Sequence, residues 1–144
     1  MKFFETKRDE ISVIKFIPAS GAATRMFKFL FDFLKEYNPR LQSLNAYINR
    51  NALRELPLFL IALEKFPFYS TVLKELEKTG VDYANLNPNQ KAYIFVKAML
   101  EENQLNFGSY PKGLFPFHKY NNDISTAFEE HLFEMVFYGS RKKP

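Results

Sequence analysis

The stretch that decides the fold is residues 16–26, with the sequence FIPASGAATRM. Before it, residues 11–17 (ISVIKFI) are short, β-branched and mostly apolar, which predicts a strand buried on both faces. Pro18 would end this strand, because proline cannot donate to a β-ladder. After the small residues, residues 24–37 carry apolar side chains at helical spacing, which predicts a helix. The order is therefore strand, small-residue turn and helix.

A turn of this kind is able to bind an anion. The first backbone N–H groups of a helix lack intrahelical partners, and the helix dipole adds partial positive charge at the same place. Small residues would let a phosphate approach the backbone closely, and five follow one another here: Ala19, Ser20, Gly21, Ala22 and Ala23. The stretch is not a Walker loop, since no Gly-Lys-Ser/Thr follows, and it lacks the glycine spacing of a dinucleotide fingerprint.

Polar side chains in and after the turn could add contacts to the same anion. Arg25 would supply a bidentate and permanently charged contact. The hydroxyl groups of Ser20 and Thr24 could add hydrogen bonds, but they suit turn and helix-cap roles equally well. The alternative for the whole stretch is a plain strand–helix turn, in which the small residues serve packing alone and Arg25 is an ordinary surface residue.

The pattern from residue 41 to residue 102 is helical throughout. It predicts helices at residues 41–48, 52–65 and 71–78, and a fourth that begins at Asn87 and Pro88. We expect these helices to pack largely on one another, beside the strand–turn–helix unit.

The last part of the chain predicts a loop and a helix. Residues 112–120 (KGLFPFHKY) are too rich in proline and glycine for a regular element. Residues 123–138 return to a helical pattern, and Thr126 and Glu129 match a capping box.

Three motifs resemble the N-terminal part of the sugar-1-phosphate nucleotidyltransferases. Those enzymes open with a strand and Ala-Ala-Gly-x-Gly-Thr-Arg-Met/Leu, which residues 19–26 (ASGAATRM) resemble. Pro-Lys-x-Leu-x-Pro follows, and residues 111–116 (PKGLFP) match it. A helix containing Glu-His comes next, as in residues 124–132 (ISTAFEEHL). Here a helical insertion separates the first motif from the second, and Ala23 replaces the second glycine. The arrangement is similar to an uncharacterised bacterial family of unknown function.

The resemblance implies an α/β protein with the N-terminal strand–loop–helix of a Rossmann-like nucleotidyltransferase fold and an all-helical insertion. It divides the chain into a strand–phosphate loop–helix unit (residues 11–38), the insertion (39–104) and the Pro-Lys loop with its following helix (105–144). The chain would be mostly α. Because one strand cannot form a sheet, we expect the remaining strands of the domain to lie outside these residues.

The resemblance also implies that NMP is transferred from a nucleoside triphosphate to a sugar phosphate. Arg25 and Lys112 would be the catalytic residues, and the nucleotide would be bound by Ala19, Ser20, Gly21, Ala22, Ala23 and Thr24. Mg²⁺ is the implied cofactor, with ligands expected outside this chain because no Asp-x-Asp or comparable site is visible. Two alternatives remain: a catalytically inactive nucleotide-binding module, favoured by Ala23, and a helical protein-interaction domain.

Composition excludes other classes. There is no cysteine, and the two histidines, His118 and His131, are too few for a histidine-based metal cluster. The net charge is +4, but the one dense basic run is residues 141–143, whereas nucleic-acid binding needs a continuous basic stripe. No apolar run reaches the roughly 18 residues of a membrane helix, and nothing resembles a secretory signal. We therefore expect a cytoplasmic protein with phosphorylated small molecules as partners.

Overall fold

The computed structural model describes residues 2–7, 10, 14–17, 21–121 and 123–140. This part of the chain is mostly helical and contains one two-stranded sheet. The helices are α1 (Lys2–Lys7), α2 (Lys28–Glu36), α3 (Leu44–Arg50), α4 (Glu55–Ile61), α5 (Tyr69–Lys78), α6 (Pro88–Leu100) and α7 (Ala127–Ser140), and the strands are β1 (Pro116–Tyr120) and β2 (Asp123–Thr126). Short 3-10 turns lie at Ala23–Arg25, Leu63–Lys65, Tyr83–Asn85, Phe107–Ser109 and Lys112–Leu114.

The predicted helix caps are present. At the start of α6, the Asn87 side chain accepts a 3.0 Å hydrogen bond from the amide of Gln90, whose own side chain accepts one of 3.2 Å from the amide of Asn87. The corresponding box at α7 joins Thr126 and Glu129, with bonds of 2.7 and 3.1 Å. These boxes satisfy amides that would otherwise lack a partner in the first turn of each helix.

The buried strand predicted for residues 11–17 is wrong where it can be examined. Residues 14–17 have no regular secondary structure, and Ile14 and Phe16 are 75% and 88% exposed. Residues 11–13 and Pro18 lie outside the described residues. An apolar, β-branched run forms a strand only when a neighbouring strand takes up its backbone hydrogen bonds, and no described strand pairs with residues 14–17.

Regular structure forms in residues 112–126, contrary to the expected loop. β1 pairs antiparallel with β2, with a register irregularity between Pro116 and His118. A proline is tolerated here because it is the first residue of an edge strand. Asn121 adopts a φ of +39° in the connecting turn, a conformation that asparagine tolerates better than most residues. A small sheet therefore lies within the chain, and the last helix begins after β2 at Ala127.

The helices of the insertion enclose α2. Leu30 and Phe33 of α2 are completely buried. The Phe33 ring lies 5.8 Å from the ring of Tyr47 in α3 and 6.2 Å from that of Tyr93 in α6. The insertion is helical as predicted, but it is not the largely self-contained bundle that we expected, because α2 supplies part of the same core.

A second aromatic cluster lies where the first and last parts of the chain meet. The Phe115 ring is 5.3 Å from Phe27, 5.2 Å from Phe68 and 5.0 Å from Phe107. Phe115 is fully buried, and Phe27, Phe68 and Phe107 are at most 5% exposed. Edge-to-face contacts of this kind add to the burial of apolar surface, so the cluster fixes the turn before α2 against the segment before β1.

Candidate functional site

Two segments that are far apart in sequence form one local structure, which we call the split loop: residues 21–25 and residues 110–112. Three backbone interactions join them, namely an antiparallel bridge between Ala22 and Pro111, a 2.9 Å bond from Ala23 N to Tyr110 O, and a 3.5 Å bond from Lys112 N to Gly21 O. The first and second motifs of the sequence are therefore neighbours in space, with the helical insertion leaving and returning beside them.

Thr24 and Gly108 hold the split loop in place. The Thr24 hydroxyl donates a 3.0 Å hydrogen bond to the carbonyl oxygen of Gly108. Gly108 is buried against the ring of Phe31, so closely that a Cβ atom at this position would lie 2.5 Å from Phe31 Cζ. Glycine is thus required by the close approach of its backbone to α2.

Ala23 fits its position without strain. It lies in the 3-10 turn Ala23–Arg25 and is not among the described residues with positive φ. Its side chain is fully buried and belongs to the hydrophobic core, which gives a packing reason for alanine in place of glycine. Its amide already donates to Tyr110 O, so this N–H is not available to an anion.

Arg25 and Lys112 lie on the two adjoining turns of the split loop. Arg25 is the last residue of the turn Ala23–Arg25 and is exposed, whereas Lys112 begins the turn Lys112–Leu114 and is partly buried. Neither side chain forms an ion pair or a hydrogen bond with a described residue. Two cations without internal partners on adjoining turns give this surface a positive potential that favours anions.

The structure places the other predicted site residues as follows. Gly21 and Ala22 are exposed at the start of the split loop, while Ala19 and Ser20 lie outside the described residues. Arg25 is not in the first turn of an α-helix as predicted, because α2 begins only at Lys28. The loop amides therefore lead into a 3-10 turn.

Sequence reasoning missed the residues that support the loop, chiefly Gly108, Tyr110 and Phe31. Gly108 was visible as a glycine in a polar loop. Nothing in the sequence, however, indicated which residue its backbone approaches, because Phe31 is distant along the chain.

The described residues offer no evident metal site. His118 lies on β1 with its ring 6.4 Å from that of Tyr120, and His131 of α7 is 3.5 Å from Glu134. Within the described ranges, no group of three or more histidine, aspartate or glutamate side chains is placed to hold a metal ion. Of the helices described, none is both long and apolar enough to cross a membrane.

Fold and site together define a mostly helical protein with a small sheet, in which a helical insertion separates two halves of one loop structure. The chain belongs to a family described as a domain of unknown function, DUF4301, whose model matches residues 1–144. No curated protein and no solved structure matches the chain. The family assignment confirms the expected membership of a family of unknown function.

Proposed function

We propose that the split loop binds the phosphates of a nucleoside triphosphate and belongs to a nucleotidyltransferase that transfers NMP to a sugar phosphate. One observation carries this proposal: residues 21–25 pair directly with residues 110–112. These segments resemble two consecutive motifs of the sugar-1-phosphate nucleotidyltransferases. Their contact across the insertion is what a single interrupted motif requires, and it supports the Rossmann-like assignment.

In the proposed reaction, an oxygen of the sugar phosphate attacks the α-phosphorus of the triphosphate. A new P–O bond forms, the bond between the α-phosphorus and the bridging oxygen breaks, and pyrophosphate leaves with the electron pair. The protein aligns the two phosphates and offsets the developing charge. Arg25 would contact the triphosphate and the departing pyrophosphate, and Lys112 would neutralise charge on the reacting phosphate from the other turn.

Magnesium, which the resemblance implies, does not fit the described residues. No set of three or more suitable carboxylate or histidine side chains is present among them, so no step above depends on the ion. Charge neutralisation at the split loop falls to Arg25 and Lys112.

Within the loop, binding and support are divided between residues. The hydroxyl of Thr24 and the amide of Ala23 are both used inside the protein. An anion would therefore meet the two cationic side chains and the exposed backbone of Gly21 and Ala22. The use of the Ala23 amide also favours the second candidate, a module that binds nucleotide without catalysis.

Calorimetric titration with a nucleoside triphosphate, in buffer containing Mg²⁺, tests this function. Arg25→Ala should weaken binding roughly ten- to a hundredfold, since a charged hydrogen bond contributes about 1.5–3 kcal/mol. Thr24→Ala should change affinity less, because its hydroxyl is bonded to Gly108. Arg40→Ala, at an exposed arginine beyond the other end of α2, is the matched control. Absence of binding by folded wild type, or equal affinity of wild type and Arg25→Ala, would rule out the proposal.

A further inference from the structure

Helix α7 turns its polar side toward the rest of the molecule. Glu130 accepts hydrogen bonds from the hydroxyl groups of Ser125 and Tyr120. Lys15 donates a 3.1 Å hydrogen bond to the carbonyl oxygen of His131 and forms an ion pair with Glu134. The inward contacts of this helix therefore include a set of polar and charged groups.

The apolar side of α7 faces away from the protein. Phe128, Leu132, Phe133 and Met135 are 41%, 38%, 66% and 49% exposed. A surface helix normally places such residues against the core, as α2 does with its completely buried Phe33. Residues 128, 132 and 135 follow the four- and three-residue spacing of a helix–helix seam. We call these three residues the α7 seam.

We propose that the α7 seam is a homodimer contact, in which α7 of one chain packs antiparallel on α7 of a second copy. A two-fold pairing needs only one self-complementary patch. Residues 132 and 135 then lie opposite their counterparts 135 and 132. The proposal does not depend on the function of the split loop.

Charge selects the antiparallel orientation. The first turn of α7 is acidic, with Glu129 and Glu130, whereas the residues that follow α7 in the sequence are Arg141, Lys142 and Lys143. An antiparallel pair brings the acidic end of each helix toward the basic end of its partner. A parallel pair would bring like charges together, which costs free energy.

The size of the contact predicts a weak dimer. A helix of 14 residues is about 21 Å long. Partly exposed side chains of this size, with their neighbours along the helix, would bury about 1,000 Å² over both copies, which is at the lower limit for a specific interface. We therefore expect a dissociation constant in the micromolar range and a dimer that dissociates on dilution.

Sedimentation velocity of the full chain over a wide range of concentrations tests the dimer. Wild type should change from monomer to dimer as concentration rises, and both Phe133→Glu and Leu132→Glu should remain monomeric. Leu41→Glu, at an apolar residue that is 81% exposed outside α7, should dimerise like wild type. A wild type that is monomeric throughout, including one that binds only a different protein, overturns the proposal, as does unchanged dimerisation of both α7 variants.

The orientation can be tested by disulfide trapping, because the chain has no cysteine of its own. Under oxidation, a mixture of Leu132→Cys and Met135→Cys chains should form a mixed disulfide. Phe128→Cys should not link to itself, since in an antiparallel pair the two copies of residue 128 lie near opposite ends of the contact. Efficient self-linking of Phe128→Cys would overturn the antiparallel arrangement.

Discussion

The helices α2 to α6 and the helix α7 are both rich in apolar residues, but they use them in opposite ways. In the first group the large side chains are inside, as with Phe33 and Phe95, which are completely buried. In α7 they are outside, and polar groups make its contacts with Lys15 and Ser125. Apolar periodicity thus identifies a helix and its apolar side. It does not reveal whether that side faces the same chain or another molecule.

The largest expected effect tests the comparison with the same substitution in each region. Phe33→Ala should lower the free energy of unfolding by about 3–5 kcal/mol, because it leaves a cavity in a closed core. Phe133→Ala, at a residue 66% exposed, should change it by no more than about 0.5 kcal/mol. Urea unfolding at low protein concentration, where α7 pairs are dissociated, measures both. Similar losses at the two positions would mean that α7 belongs to the core.

A smaller effect is expected where the split loop meets α2. Gly108→Ala should cost about 1–3 kcal/mol, because the new methyl group would overlap the Phe31 ring. Gly113→Ala is the control, since a Cβ there meets no atom within 4 Å. Thermal unfolding would compare the two variants, and Phe31→Leu should recover part of the loss in Gly108→Ala. An equal effect of both glycine substitutions would show that the close approach does not determine stability.

The smallest effect concerns the polar side of α7. Hydrogen bonds from Lys15 and His131 hold the pKa of Glu134 below its ordinary value of 4.5. A lowered native pKa stabilises the fold above that ordinary value, and this contribution is lost as pH falls through the native pKa. The pair is largely exposed, so the effect is small.

Amide hydrogen exchange at several acidic pH values should detect it. We expect α7 to lose protection at a higher pH than α6, and Glu134→Gln to remove that difference. Glu77→Gln, at an exposed glutamate of α5, should leave the difference in place. Simultaneous loss of protection in α6 and α7 would contradict this account of how α7 is attached.

Sequence reasoning succeeded where a signal is local. The capping boxes at Asn87 and Thr126 need only residues within one turn, so composition and spacing revealed them. Gly80, which we expected to end the third helix of the insertion, adopts a φ of +74° after α5, a conformation that favours glycine.

It failed where tertiary contacts decide. Residues 14–17 have the composition of a strand but no described strand beside them, and β1 forms in a segment rich in proline because β2 returns to pair with it. The substitution of alanine at position 23 suggested backbone strain, whereas its cause is burial in a 3-10 turn. The partner of residues 21–25 could be expected only from the resemblance, because no local pattern connects them with residues 110–112.

The central claim is that Arg25 and Lys112 act on one bound anion, and a double-mutant cycle on triphosphate affinity tests it most directly. Calorimetry would compare wild type, Arg25→Ala, Lys112→Ala and the double variant, with circular dichroism to confirm that each is folded. Groups that share a ligand should be coupled by about 0.5–3 kcal/mol, so the double variant should lose less affinity than the two single losses added together. Strictly additive losses, or no loss from Lys112→Ala, would contradict the claim.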